Sequence, residues 1–221
     1  MTIPGSPSLS HVPPVSGVVL AGGRSSRFGV DKLGAVVEGR PLLHRSIESL
    51  AAVSREVIVV LAPGAPDPEL PLGLLVPTRT VRDAEPFGGP LVGIMAALDV
   101  ATEPVALVAG ADMPWLEHEV LELLVRELTL GGADAVALAS AGYHVQLPCA
   151  VNVVVARPVA ARLVAGGERS ITALLRELRT GVIGEERWRL LDPEGRSLRD
   201  VDRPSDLEAI DGRPPGQPAN G

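Results

Sequence analysis

The residues best equipped for chemistry lie near the start of the chain, in "LAGGRSSRFGVDK" (residues 20–32). This stretch sets three glycines, two arginines, an aspartate and a lysine within thirteen residues. Glycines that follow an apolar run let backbone N–H groups approach an anion closely and form a nest for phosphate oxygens. Arg24 and Arg27 can add planar, bidentate, charge-assisted bonds to the same oxygens, and Ser25 and Ser26 can donate as well. Lys32 is the single lysine in a chain with nineteen arginines. A compact ammonium on a flexible stem can follow a phosphate charge that moves during a reaction. The plainer alternative is a tight glycine turn with solvated side chains.

Two common phosphate motifs fail on spacing. A dinucleotide fingerprint needs G-x-G-x-x-G, whereas the glycines here fall at Gly22, Gly23 and Gly29. A P-loop needs G-x-x-x-x-G-K-[ST], but Gly23 and Gly29 are one residue too far apart and Lys32 does not follow the second glycine.

Downstream, Asp112 ends the apolar run "LVAG" and precedes Pro114, which stops the strand. It reads either as a helix N-cap for "WLEHEVLELL" or as a carboxylate ligand for Mg²⁺, which is bound by one or two carboxylates together with phosphate oxygens. Asp202, in "RDVDRPSDLEAI", carries the same two readings. Asp31 orients Lys32 or caps a turn, and Asp83 is a strand-end turn residue on its face. His44 and His118 lie on expected helices without a partner, His144 sits in a polar loop near Gln146, and Cys149 opens a buried strand as a small hydrophobe.

The elements that must position these groups alternate. Strands are expected at 15–21, 56–62, 104–110, 134–139 and 149–156, with one or two short ones inside "LGLLVPTRTVRD" and others near Val182 and at 188–191. Helices are expected at 41–53, 90–101, after Asp112, in "PVAARLVAG", in "SITALLREL" and at 203–210. Such alternation predicts an α/β, doubly wound, mostly parallel sheet, in which ligands bind at the carboxyl ends of strands. The glycine-rich stretch and Asp112 both fall there. Apolar residues make up 46% of the 221 and aromatics 2%, so the core is aliphatic, as such sheets require. A net charge of −7 argues against a nucleic-acid binder. One cysteine excludes an internal disulfide. No signal-peptide pattern or bilayer-length apolar run is visible, so a cytoplasmic protein is expected, with Pro/Gly/Ser-rich tails at 1–14 and 212–221 around a single domain at 15–211.

The opening stretch, followed by "GRPLLHRSIESL", resembles the signature L-A-G-G-x-S-x-R-M-G-x-D-K…G-x-P-L of the molybdenum cofactor guanylyltransferase family, with Phe28 in place of Met. "RDAEPFGGPLVGIMAAL", "LVAGADMPWL", "QLPCAV" and "RDVDRPSDLEAI" are similar to later segments of that family in the same order, with Asp200 and Asp202 replacing two asparagines. The resemblance spans residues 15–210 and implies a Rossmann-like nucleotidyltransferase fold of the nucleotide-diphospho-sugar transferase kind. It implies GTP held by Leu20, Ala21, Gly22, Gly23, Ser25, Lys32, Asp83, Gly89, Pro90, Leu91 and Asp112, with Lys32, Arg24 and Arg27 catalytic and Mg²⁺ on Asp112 and Asp202. The acceptor it implies is molybdopterin, with cofactor delivery proteins or molybdoenzymes as further partners, and neither nucleic acid nor membrane. Related cytidylyltransferases carry Ala where Gly22 stands, although "DVDRP" is nearer their D-x-D-T-P form. Guanylyl transfer to 2-phospholactate, sugar-phosphate chemistry and a nucleotide-binding regulator without turnover remain alternatives. A nicotinamide oxidoreductase is disfavoured by the glycine spacing.

Overall fold

Val57, Val59 and Leu61 alternate with Ile58 and Val60 along a single strand, and all five are buried. Side chains on a strand point alternately to its two faces, so a strand apolar at every position must be covered on both sides. The computed structural model, which describes residues 13–22, 34–83 and 88–201, shows this arrangement.

The central strand is β1 (Val15–Leu20), parallel to β4 (Glu56–Leu61) on one side and to β6 (Val105–Gly110) on the other. Beyond β4 lies β5 (Thr78–Arg82), also parallel. Beyond β6 come β8 (Tyr143–Asn152), antiparallel to both its neighbours, then β7 (Ala135–Ser140) and β9 (Thr180–Ile183). The seven strands therefore run in the order β5-β4-β1-β6-β8-β7-β9. A separate hairpin pairs β2 (Val36–Val37) with β3 (Arg40–Pro41).

Helices α1 (Leu42–Val53) and α3 (His118–Gly131) cover one face. There Leu43, Ile47 and Leu50 meet Val15, Val57 and Val59, while Val120, Leu121 and Leu124 extend the same cluster. Helices α2 (Pro90–Val100), α4 (Val153–Ala165) and α5 (Ile171–Glu177) cover the other, where Leu91, Ile94, Ala156, Ala160, Ile171 and Leu174 pack with Val18, Ile58 and Val60. The expected doubly wound, mostly parallel α/β sheet is present.

Two expected strands are corrected. Residues 149–156 do not form one strand: β8 stops at Asn152, whose Oδ1 accepts the amides of Val154 at 3.0 Å and Val155 at 3.3 Å and starts α4. This cap overrides the strand preference of three successive valines. Residues 188–191 are not a strand either. Trp188 ends the short helix α6 (Glu185–Trp188), is fully buried, and gives its indole N–H to the Ala139 carbonyl at 2.8 Å. An Arg189–Glu185 ion pair at 2.7 Å, one helical turn apart, favours the helical form. The helix expected at 203–210 lies outside the described residues.

At the amino-terminal edge of the sheet, Glu56 is buried and fully engaged. It accepts from Ser16 Oγ at 2.6 Å, from the Thr102 amide at 2.8 Å and hydroxyl at 2.9 Å, and from Arg79 at 2.7 Å. Burial by itself pushes the carboxyl's pKa up, but the bonds from Ser16 and Thr102 and the Arg79 charge outweigh it and hold it below the usual range.

Candidate active site

At the opposite edge the central strands end together. The Ala21 amide donates to Val60 O at 2.8 Å, the Ala111 amide to Leu20 O at 3.1 Å, and the Asp83 amide to Leu61 O at 3.0 Å. The next pair is different. The β6–β8 ladder ends at Val108 and Cys149, and the following residue on β8 is Pro148, which has no N–H to give. Past that point a cleft of about 540 Å³ lies over the strand ends. Leu20 and Val60 form its floor, with Gly22 and Asp83 at one side and Gly110 and Asp112 at another. Gly89, Pro90 and Gly93 bring the start of α2 to it, and Leu147 comes from β8.

Close backbone approach explains two glycines. Gly89 has φ +79°, and a Cβ there would stand 2.8 Å from the Arg169 carbonyl oxygen, which also accepts the Leu91 amide at 3.1 Å. Any side chain at Gly89 would push the turn before α5 away from the head of α2. At Gly110 a Cβ would collide with Asp112 Oδ1, so the strand end leaves room for that carboxylate.

Asp112 does not cap α3. That helix starts at His118 after Glu117, and Asp112 lies in the turn leaving β6. Its carbonyl accepts the Val201 amide at 2.9 Å, which brings the chain back beside it immediately before residue 202. Asp83 is buried at 8% exposure, and its Oδ2 lies 3.6 Å from where a Gly22 Cβ would be.

Of the residues singled out from the sequence, Leu20, Gly22, Asp83, Gly89, Pro90 and Asp112 line this one cleft, and Ala21 is bonded into its rim. Leu91 contributes no lining surface: its side chain is fully buried and its amide is taken by Arg169. Gly23, Arg24, Ser25, Arg27, Lys32 and Asp202 lie outside the described residues. His44 Nε2 is within 2.9 Å of the Glu69 carbonyl, far from the cleft lining. Cys149 is buried, and burial pushes its thiol up to about 12, so it is no nucleophile. Sequence reasoning missed Val60, Gly93, Gly110 and Leu147. Gly110 is the one with a signal, as a glycine closing an apolar strand two residues before an aspartate.

Among the described lining residues there are two carboxylates and no cation. Such a cleft takes a polyphosphate only with positive charge brought to it, either as a divalent ion or from the adjoining residues that follow Gly22. No group of three or more His, Cys, Asp or Glu residues that could hold a metal exists among the described residues. Asp112, which lines the cleft beside Gly110, is one carboxylate that could hold a divalent ion. No helix among the described residues is long and apolar enough to cross a membrane.

The family model for a MobA-like NTP transferase domain matches residues 17–181. A probable molybdenum cofactor guanylyltransferase of Chloroflexus aggregans is 34% identical over 201 residues, covering 89% of this chain and 93% of that protein. One of the same description from Mycobacterium tuberculosis is 33% identical over 201 residues, covering 89% and 92%. The crystal structure of molybdopterin-guanine dinucleotide biosynthesis protein A from Archaeoglobus fulgidus superposes with a TM-score of 0.72 at 24% identity, covering 89% of this chain and 97% of that one, a likeness of fold.

Proposed function

Because the chain belongs to the MobA-like NTP transferase family, and is a nucleotidyltransferase, we propose that it transfers GMP from GTP to molybdopterin. The terminal phosphate oxygen of molybdopterin attacks the α-phosphorus of GTP. A new P–O–P bond forms, the bond from the α-phosphorus to the α,β-bridging oxygen breaks, and pyrophosphate leaves with the electron pair. The acceptor is already an anion, so no covalent enzyme intermediate and no general base are needed. The chain's work is to align two phosphates that repel each other and to neutralise the charge that builds on the leaving oxygens.

The observation that carries this reading is a cleft at the carboxyl ends of β1, β4 and β6, with Asp83 on one side, Asp112 on another and the glycine-rich stretch leaving directly from Gly22. Gly22 and Asp83 take the nucleoside side, and Gly89 and Pro90 form the adjoining wall. Loop amides of Gly22, Gly23 and Ser25, with Arg24 and Arg27, hold the triphosphate, and Lys32 follows the charge onto pyrophosphate. Asp112 and Asp202, from the segment that follows Val201, would hold a magnesium ion, which would supply positive charge against the triphosphate. Guanine is favoured over cytosine by Gly22, where related cytidylyltransferases carry Ala.

GTP labelled at the α-phosphate tests the reaction. Label is expected in a molybdopterin dinucleotide, with one pyrophosphate released per product. Lys32→Ala and Asp112→Asn are each expected to slow transfer about 10²–10³-fold with the melting temperature of the apoprotein kept. Tight GTP binding by the wild type with no product would leave a nucleotide-binding protein instead of an enzyme. Equal thermal stabilisation by GTP and CTP in Mg²⁺ would remove the case for guanine.

A further inference from the structure

The turn that carries Asp112, residues 111–114, lies between β6 and α3 and belongs to neither element. Three successive carbonyls in it nevertheless each take a donor from a distant part of the chain. Asp112 O accepts the Val201 amide at 2.9 Å. Met113 O accepts Ser46 Oγ at 3.1 Å, and Pro114 O accepts Arg45 Nε at 3.1 Å. Ser46 and Arg45 are consecutive residues of α1, a helix locked to the sheet by Leu43, Ile47 and Leu50.

Neither donor is idle surface chemistry. Ser46 is fully buried, and its only other acceptor is the Leu42 carbonyl in its own helix, at the longer distance of 3.4 Å. Arg45 is four-fifths buried at its side chain, and its guanidinium spans two structures. Nε goes to the turn, while Nη1 pairs with Glu38 Oε2 at 2.8 Å and reaches the Val37 carbonyl at 3.5 Å, both on the β2–β3 hairpin. That hairpin begins four residues after Lys32. Arg45 thus fastens the Asp112 turn to the hairpin downstream of the glycine-rich stretch.

We propose that Arg45 and Ser46 are positioning residues for Asp112: by holding the two peptide carbonyls that follow it, they fix the carboxylate where a divalent cation and the nucleotide phosphates meet. The proposal rests on the reading of Asp112 as the metal-holding carboxylate. A hydrogen-bonded peptide plane resists rotation, so the bonds to Met113 O and Pro114 O set the backbone from which the Asp112 carboxylate projects beside Gly110. Freeing the Met113 or Pro114 carbonyl lets the turn rotate and swings the carboxylate off its position. Binding of the nucleotide without metal does not use that position and is left alone.

The test compares GTP affinity of the full chain in EDTA and in Mg²⁺ by calorimetry, so that the metal-dependent gain in affinity is read directly. Ser46→Ala and Arg45→Met are expected to shrink that gain by about tenfold, the scale of outer partners of metal ligands, with the affinity in EDTA kept within about twofold. Arg40→Met is the control. It removes an ion pair to Glu48 at 2.6 Å between the same hairpin and helix, touches no carbonyl of the turn, and should keep the full gain. Arg45→Lys preserves a cation opposite Glu38 and therefore the fold, but cannot bridge hairpin and turn with one planar fork. It is expected to retain part of the gain, and it decides the matter if the other variants are recovered unfolded. Full gain in the Arg45 and Ser46 variants, with only a lowered melting temperature, would overturn the proposal. Asp112→Asn separates the two ideas: if it keeps the gain, the metal-holding reading fails and this proposal with it. If it loses the gain while the Arg45 and Ser46 variants keep theirs, the proposal alone fails.

Discussion

Asp112 and Glu56 are both carboxylates at strand ends, and their surroundings differ. Asp112 lines the cleft at the carboxyl end of β6, beside Gly110. Glu56 spends its oxygens on Ser16, Thr102 and Arg79 and closes the other edge of the sheet. Because Glu56 is held below the ordinary carboxylate range when folded, its contribution is complete above the unfolded value of about 4.3 and is lost as pH falls through the folded one. Urea midpoints should therefore show wild type well above Glu56→Gln at pH 7, with the gap closing in the acid range. A constant gap down to the lowest pH would refute that account. The residue types were legible in the sequence at both positions, but type alone left Asp112 divided between cap and ligand. The start of α3 at His118 removed the cap reading.

The elements were readable wherever pattern and capping agree. Strands β1, β4 and β6 and helices α1 and α2 follow apolar runs and periodic stripes and fall where the sequence places them to within a residue or so at the ends, and α3 follows the turn after Asp112 as expected. The boundary between β8 and α4 was not readable, because Val153, Val154 and Val155 favour a strand by type and a single side-chain oxygen reverses them. Asn152→Ala should lower stability by about 1 kcal/mol and the melting temperature by roughly 2–4 °C, with activity per folded molecule kept. An unchanged melting temperature would mean that packing alone starts the helix. Gly89→Ala acts on two elements at once, since the new methyl meets the Arg169 carbonyl and the backbone needs φ +79°. About 1–3 kcal/mol of strain is expected, together with weaker GTP binding, as the head of α2 and the turn before α5 move apart. Strain without any change in GTP affinity would show that this wall is not part of the nucleotide site.

At the scale of the molecule, the chain finishes its sheet at the outer strand β9 and then returns to the centre. Asp192 steers the return: its carboxylate accepts the amides of Arg196 at 2.9 Å and Ser197 at 2.7 Å, opening the short 3₁₀ helix Arg196–Leu198. Ser197 Oγ then accepts the Glu117 amide at 3.0 Å, just before α3. Val201 arrives fully buried in a small cluster with Val37, Leu42 and Trp115. That cluster joins the hairpin downstream of Lys32, the segment after Asp112 and the residue before Asp202. Val201→Ala should cost about 1–2 kcal/mol and, beyond that, raise the Mg²⁺ concentration needed for half-maximal transfer. A stability loss with unchanged Mg²⁺ dependence would reduce the cluster to a patch of core.

Chain-local patterns already carry the glycine-rich motif of residues 20–32, the alternation of strands and helices and the aliphatic character of the core. Each depends on neighbours in sequence: a glycine nest, a side-chain period and a composition are properties of short stretches. The use of Asp112, the start of α4, the burial of Trp188 and the hold of Arg45 and Ser46 on the Asp112 turn were decided only by the tertiary structure. Their causes are contacts between residues far apart in the chain, such as Ser46 with Met113 and Asp112 with Val201. A carbonyl in a turn has no preferred partner until the fold delivers one, and no local pattern announces which helix will do so.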